Sequence, residues 1–248
     1  MKKLLIFDYD KTLARPVCVP SEEMLNEVAR LLKENYLAVM SGGRTKEQIV
    51  ELFVKNIPVE HPSLLENILI CPQYGTLIYQ WRDESLKLIY EAEEMVQEDK
   101  DYIYEALETI QWEMYGIESV KEEQILDKGA YISIDCFGKE ASKEVREAWD
   151  PDKIKRQPAK NRLDEIFKGK FDVFASGRTT IDILAKGNNK ADNTQRLAKM
   201  LDIPLKNVVF TGDEFQVYGN DYPLLSLEDI KINIIQNPQE ALTAVRQI

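Results

Sequence analysis

Short apolar runs that alternate with amphipathic stretches constrain this chain more than any other feature. Leu4-Leu5-Ile6-Phe7, Tyr36 to Met40 and Ile68-Leu69-Ile70 read as buried strands. After the first, Pro20-Ser21 opens a helical pattern in which Met24, Leu25, Val28, Leu31 and Leu32 recur on one face. After the second, Thr45-Lys46-Glu47-Gln48 is a capping-box sequence that starts a helix carrying Ile49, Leu52 and Phe53. Strands in β-α-β-α-β order run parallel and are joined by right-handed crossovers. From Lys186 the alternation resumes: a helical pattern from Asn189 to Asp202, strands at Val208 and at Ile232 to Ile235, and a last helix from Pro238. The expected class is α/β, with a Rossmann-like doubly wound parallel sheet.

The middle of the chain breaks this rhythm. Thr76 to Tyr79 and Leu86 to Ile89 look like hairpin strands around Asp83-Glu84-Ser85. An acidic helix follows, with Val96, Ile103, Leu107, Ile110 and Met114 near helical spacing. Tyr131 to Phe137 alternates as an antiparallel strand does, with Ile132, Ile134 and Cys136 on one face. Helical patterns flank Asp150-Pro151, and Phe171 to Phe174 forms a second hairpin with Thr180 to Leu184. The expected organisation is therefore a core of residues 1–75 and 186–248 with an α+β cap, residues 76–185, inserted into it. A chain of 248 residues has room for both.

Composition removes several function classes. No run approaches the ~18 apolar residues of a membrane span. Only about four apolar residues follow Met1-Lys2-Lys3, too few for a signal peptide. Cys18, Cys71 and Cys136 are widely spaced, with no CxxC pair, which suits free thiols in a reducing, cytoplasmic compartment. The single histidine, His61, precedes a proline, which argues against Cys–His catalysis and a His-rich zinc site. The net charge is −11, and 13 acidic residues face 2 basic ones between Glu91 and Asp127. That stretch reads as a solvated helix face and argues against nucleic acid as a partner. A monomer or homodimer without membrane or nucleic-acid partners is expected.

Carboxylates emerge where the first strand ends, in Phe7-Asp8-Tyr9-Asp10. In an open α/β sheet, ligands bind at that edge. Period-two geometry turns Asp8 and Asp10 to one side, where like charges repel unless a cation or proton lies between them. The pattern suits a divalent metal beside a carboxylate nucleophile, although an Asp-rich turn alone would look the same. Ser41-Gly42-Gly43-Arg44 follows the second strand, and a hydroxyl beside closely approachable N–H groups suits a phosphoryl oxygen as well as a plain turn. Lys190 opens a helix, where a cation opposes the macrodipole unless it faces an anion. Asp213 and Asp221, with Glu214 beside them, are hard oxygen donors that point to Mg2+ rather than zinc.

Taken in order, Asp8-x-Asp10-x-Thr12, Ser41-Gly42-Gly43-Arg44, Lys190 and Thr211-Gly212-Asp213-Glu214 with Gly219-Asn220-Asp221 resemble the motifs of the haloacid dehalogenase superfamily. The resemblance implies Asp8 as a nucleophile that forms an aspartyl-phosphate. It implies Asp10 as general acid and then base, with its backbone carbonyl on the metal. It also implies Thr12, Ser41, Gly42 and Lys190 as phosphate contacts, and Asp8, Asp10, Asp213 and Asp221 as the Mg2+ set. Lys11 stands where the family usually has glycine.

The cap's size and place resemble the branch with an α/β cap, subfamily IIB, which contains Cof-type sugar phosphatases and the eukaryotic type of phosphomannomutase. The eight-residue interval from Asp213 to Asp221, and Thr180 to Leu184 leading to Lys190, are similar to the mutases. That likeness implies Thr180 and Asp182 on sugar hydroxyls. Gly138-Lys139 falls where the mutases carry a Gly-Arg that grips a distal phosphate, but lysine lacks the bidentate fork. Tyr74-Gly75 replaces the mutases' Asn-Gly, and Asp127-Lys128-Gly129 lies near the place of a second cap arginine. Lys139, Arg146, Arg156 and Arg178 are the scattered cations available instead, and Lys139, Arg178, Thr180 and Asp182 are the expected substrate contacts. The expectation is a Mg2+-dependent phosphatase acting on a small phosphorylated metabolite, a sugar phosphate. The alternatives are a phosphomannomutase or phosphoglucomutase and a non-catalytic binder of a phosphometabolite. Intact Asp8, Asp10, Lys190 and Asp213 speak against the last.

Overall fold

A computed structural model describes residues 2–83, 85–118, 120–138 and 142–248, without the side chains of Lys143 and Glu147. Glu84 of the hairpin turn and the expected substrate contact Lys139 lie outside the described residues. In chain order the elements begin β1 (Leu4–Phe7), α1 (Glu22–Leu31), β2 (Tyr36–Met40), α2 (Lys46–Leu52), β3 (Ile68–Cys71), β4 (Leu77–Arg82) and β5 (Ser85–Glu91). Next come α3 (Gln97–Glu108), β6 (Ile125–Asp127), β7 (Tyr131–Asp135), α4 (Lys143–Trp149), α5 (Gln157–Phe167), β8 (Phe171–Ser176) and β9 (Thr180–Ala185). The chain ends with α6 (Lys190–Met200), β10 (Val208–Gly212), β11 (Lys231–Ile234) and α7 (Pro238–Val245). No described helix is long and apolar enough to cross a membrane.

Two compact units result. The first comprises Met1–Glu91, Lys190–Gln216 and Asp221–Ile248, and the second Ala92–Asn189 with Val217–Asn220. The sheet of the first unit has the order β11-β10-β1-β2-β3-β4-β5. Strands from β11 through β3 pair in parallel, and β4 and β5 are antiparallel additions. The order reverses at β1, since the chain runs outward through β2 and β3 and returns on the other side at β10. Such a switch point leaves a crevice at the carboxyl end of β1.

Alternation along β1 splits the core into two layers. Leu5 and Phe7 pack with Met24 and Val28 of α1, Ile49 of α2 and Leu242 and Val245 of α7. Leu4 and Ile6 pack on the other face with Ala191 and Leu197 of α6. Each fully buried Leu, Ile or Phe contributes roughly 1.5–3 kcal/mol of transfer free energy. The helices begin where the sequence supplies caps. Ser21 Oγ accepts from Met24 N, Thr45 and Gln48 form the expected capping box, and Asn237 caps α7.

The hairpin of β4 and β5 departs from the expected division at residue 76. It pairs with β3 through Leu69↔Gln80 and Ile70↔Tyr79, so it extends the core sheet. Tyr79, Trp81 and Leu86 lie against one core layer and Ile78 against the other, which is why the first unit runs on to Glu91. It resumes at Lys190 rather than at residue 186.

The second unit is built on an antiparallel sheet of order β6-β7-β9-β8. Ile132 and Ile134 of β7 and Ile181 and Ile183 of β9 face α3 and α5, burying Ile103, Leu107, Leu163 and Phe167, with Cys136 in the same cluster. The acidic helix is shorter than its apolar spacing predicts. It stops after Glu108, where Thr109 Oγ1 donates to Ala106 O, and a short turn then buries Trp112 and closes at Gly116 with φ +69°. Val96 and Met114 are therefore exposed, and Lys100 is drawn inward to pair with Asp127 at 2.7 Å.

Candidate active site

Asp8 N donates to Thr211 O at 3.0 Å, which carries the β1–β10 pairing one residue past Phe7. Asp8 thereby continues the Leu4–Ile6 row toward α6. There the fully buried Lys190 donates to Asp8 Oδ1 at 2.8 Å and to Asp221 Oδ1 at 2.6 Å. Burial pulls the Lys190 ammonium toward deprotonation, but Asp221 and Asp8 outweigh it and hold its pKa above the usual lysine value. Two carboxylates thus offset a cation placed at a helix start. Burial pushes the Asp8 carboxyl well above the ordinary range; Lys190 opposes the rise, and Asp221 and Asp213 add to it.

The loop after β10 supplies the other carboxylates. Asp221 N donates to Glu214 O at 3.0 Å, and Glu214 N donates back to Asp221 Oδ2 at 3.1 Å. Both Asp221 oxygens are thus engaged, one by Lys190 and one by the backbone. This closure needs Gly212, because a Cβ there would lie 2.5 Å from Asp221 Oδ2 and 2.8 Å from the Phe210 ring. Asp213 Oδ1 is buried without a hydrogen-bond partner among the described residues. Burial, then Glu214 and Asp221, push the Asp213 carboxyl up to about 7 against the pull of Lys11 and Lys190. Lys11 Nζ stands 3.9 Å from Asp213 Oδ2 and 3.9 Å from Glu214 Oε1. Its φ of +62° is the region that favours glycine, as expected of a position where the resembling family carries one.

Asp10 takes a different partner from Asp8. The chain turns sharply after Tyr9, whose carbonyl accepts from the N–H groups of Thr12, Leu13 and Ala14. Arg44 then grips Asp10 with two bonds, Nε to Oδ2 at 2.9 Å and Nη2 to Oδ1 at 2.5 Å. Arg44 is itself buried, over the Tyr9 ring at 5.5 Å. Its backbone N–H donates to Ser41 Oγ at 3.2 Å, which folds the Ser41–Arg44 turn onto itself. Behind that turn Tyr74 donates its N–H to Ser41 O at 2.9 Å, and its ring leaves no space for a Cβ at Gly42. Thr12 Oγ1 is buried with no partner among the described residues, as suits a hydroxyl meant for a ligand.

Several expected residues thus share one site in the first unit: Asp8, Lys190, Asp213 and Asp221 together, and Asp10 with the Ser41 turn. Among the described residues no group of three or more His, Cys, Asp or Glu side chains is arranged to hold a metal. Of the expected Mg2+ set, Asp10 enters through its backbone carbonyl, and Asp8, Asp213 and Asp221 enter through their carboxylates. Asp221 serves Lys190 and Glu214 N, and the Asp10 carboxylate serves Arg44. An oxygen-seeking cation is still suited by the unpartnered Asp213 Oδ1, the mutual repulsion of the buried acids, and the Asp8 carboxylate and Asp10 carbonyl nearby in sequence and fold.

Two of the expected cap contacts, Asp182 and Thr180, have partners within the second unit. Asp182 accepts from Ser133 Oγ at 2.5 Å, and Thr180 Oγ1 donates to Ser176 O at 3.0 Å. Arg156 is fully buried, bonding Asp150 at 2.7 Å and the carbonyls of Ser176 and Thr180 at 2.6 Å each. Arg146 bonds Asp135 and Thr179 at 2.8 Å each and the carbonyl of Gly138. Arg178 lies partly exposed in the β8–β9 turn. A cavity of about 960 Å³ in this unit is lined by Tyr104, Leu107, Trp112 and neighbouring acids, and among the described residues no expected site residue lines it. Arg44 is the residue whose role the sequence conceals: it stands in a recognisable turn, but only the fold supplies its partner.

The sequence model of the haloacid dehalogenase-like hydrolase family matches residues 5–247. The chain is 25% identical over 260 residues to a phosphomannomutase of Encephalitozoon cuniculi (strain GB-M1), covering 99% of this chain and 93% of that protein. Among solved structures it is similar to the N-terminally truncated, IMP-bound IMP-nucleotidase of Plasmodium falciparum, with TM-score 0.70 and 20% identity over 100% of this chain and 68% of the other. It is also similar to a haloacid dehalogenase-like hydrolase from Bacteroides thetaiotaomicron, with TM-score 0.62 and 17% identity over 100% and 99% of the two chains. The sucrose-phosphatase of Synechocystis sp. PCC6803, in complex with sucrose and phosphate, gives TM-score 0.53 and 21% identity over 100% and 88%. At these identities the structural likenesses establish a shared fold.

Proposed function

Because this chain belongs to the haloacid dehalogenase-like hydrolases, we propose that it is a Mg2+-dependent phosphatase that hydrolyses a small phosphorylated metabolite, a sugar phosphate, through an aspartyl-phosphate on Asp8. One observation carries this reading: the buried Lys190 joins Asp8 and Asp221 at the switch point of the sheet. A lysine so held keeps a nucleophilic carboxylate in place and offers positive charge to a phosphoryl group.

Asp8 attacks phosphorus, and the bond to the leaving oxygen breaks as Asp10 gives that oxygen a proton. Asp10 then takes a proton from water, the water oxygen attacks the phosphorus of the acyl phosphate, and inorganic phosphate leaves as Asp8 is restored. The hydroxyls of Ser41 and Thr12, the Gly42 N–H and Lys190 bind the phosphoryl oxygens. Mg2+ held by the Asp8 and Asp213 carboxylates and the Asp10 carbonyl would supply charge neutralisation and alignment. The second unit would set substrate choice through Thr180, Asp182, Arg178 and Lys139. A cytoplasmic monomer or homodimer, without nucleic acid or membrane as partner, completes the proposal.

The phosphomannomutase relative favours a phosphosugar mutase as the second reading. A mutase must hold a bisphosphate intermediate firmly by its distal phosphate. Two of the cations that the sequence offers for that grip, Arg146 and Arg156, are engaged by carboxylates and carbonyls. Hydrolysis is therefore preferred. A screen of phosphate esters with and without Mg2+, run beside an assay of sugar 1- and 6-phosphate interconversion with a bisphosphate activator, tests this. Mg2+-dependent phosphate release that Asp8→Asn abolishes without loss of fold is expected; interconversion with little phosphate release would overturn it.

A further inference from the structure

The Asp10–Arg44 pair reaches beyond the roles assigned so far. Arg44 presents the edge of its guanidinium to Asp10 as a fork, with bonds of 2.9 and 2.5 Å to the two carboxylate oxygens. The two partners differ in exposure: the Arg44 side chain is 8% exposed and that of Asp10 35%. Arg44 is the fixed member. Tyr9, fully buried and anchored by its hydroxyl on Cys18 O at 2.9 Å, lies under the guanidinium, and Arg44 N is tied to Ser41 Oγ. The turn that carries the expected phosphate-binding hydroxyl is therefore tied by hydrogen bonds to the side chain that grips Asp10. A fork uses one lone pair on each carboxylate oxygen, which leaves others to exchange a proton with a ligand.

We infer that Arg44 is a positioning residue that aims Asp10 at the leaving oxygen and sets its distance from the phosphate turn. The inference rests on the hydrolytic reading above. In the step concerned, the bond from Asp8 to phosphorus forms, the bond from phosphorus to the leaving oxygen breaks, and the proton passes from Asp10 to that oxygen. An alkoxide leaves poorly without the proton, and nitrophenolate leaves well without it. Misaiming Asp10 therefore damages turnover of alkyl phosphates selectively, whereas loss of a phosphate contact or of general packing damages both substrate types alike.

The test compares wild type, Arg44→Ala and Arg44→Lys on p-nitrophenyl phosphate and on the best alkyl phosphate from the screen. The quantity read is kcat/KM, since it reports departure of the leaving group and excludes the later attack of water on phospho-Asp8. For Arg44→Ala a loss of about 10²–10³ on the alkyl phosphate is expected, within the range of one general acid, and less than about tenfold on p-nitrophenyl phosphate. Arg44→Lys keeps a cation in the same place but lacks the fork, so it retains the selective defect even if Arg44→Ala folds poorly. In an Asp10→Asn background, Arg44→Lys should cause no further loss on the alkyl phosphate. Equal losses on both substrates, or additive losses with Asp10→Asn, would overturn the inference while leaving the phosphatase reading intact. Failure of wild type to release phosphate from any ester would instead sink the phosphatase reading.

Discussion

Asp213 sits among like charges, and that crowding has a sign that can be measured. Its carboxyl is pushed up to about 7 by burial, Glu214 and Asp221, whereas an aspartate in an unfolded chain titrates near ~3.9. Between these values the unfolded chain has lost the proton and the native state keeps it, so stability falls as pH rises through this window. In the absence of divalent cation, Asp213→Asn should melt above wild type at pH values above the folded pKa. The gap should close in acid, where both states of the wild type are protonated. Each kcal/mol recovered corresponds to roughly 2–4 °C in a chain of this size. Adding Mg2+ should raise the melting temperature of wild type more than that of the variant. A variant that melts lower than wild type at high pH would show that Asp213 is not strained by its neighbours.

At the scale of elements, the end of β10 is tightly specified by its neighbours. A methyl at Gly212 would overlap both an Asp221 carboxylate oxygen and the Phe210 ring. Gly212→Ala should therefore cost about 1–3 kcal/mol, as overpacking does. It should also reduce kcat by loosening Asp221 from Glu214 N and Lys190. Denaturant melts and steady-state rates check both, and unchanged stability with unchanged kcat would contradict the account. Much at this scale is legible in the sequence. The strands from Leu4, Tyr36, Ile68 and Val208 declare themselves by short apolar runs, and α1 and α2 by their caps. The hairpin of β4 and β5 shows why legibility stops there. Its alternation announces two antiparallel strands, but the edge it joins depends on the exposed side of β3, which lies outside the hairpin's own sequence. Likewise Asp8, Lys190, Asp213 and Asp221 are readable as candidates, whereas the use of both Asp221 oxygens and the Asp10–Arg44 fork are products of loop closure. The stripe from Val96 to Met114 fails for a simpler reason: spacing cannot reveal that the helix ends at Glu108.

For the molecule as a whole, the second unit rests on an ion pair that the sequence offers only as one more basic residue. Arg156 and Asp150 are both fully enclosed, and the guanidinium also ties down the β8–β9 turn through the carbonyls of Ser176 and Thr180. Removing one partner of a buried pair leaves a stranded charge and costs about 3–5 kcal/mol. Arg156→Met should lower the stability of this unit by that order, seen as a shifted urea midpoint, and a shift below about 0.5 kcal/mol would mean that the pair contributes little. The division into units also gives meaning to the acidic stretch. Apart from Glu91, its charges lie on and around α3 in the second unit, and the catalytic candidates belong to the first.

The central claim is that Asp8 carries the phosphoryl group, held for attack by Lys190. The most direct measurement is acid quenching of the enzyme during turnover of its best phosphate ester, followed by peptide mapping by mass spectrometry. One added phosphoryl group on the peptide that contains Asp8, absent from Asp8→Asn, is the predicted result. A phosphoryl group on any other residue, or turnover that persists in Asp8→Asn, would contradict it.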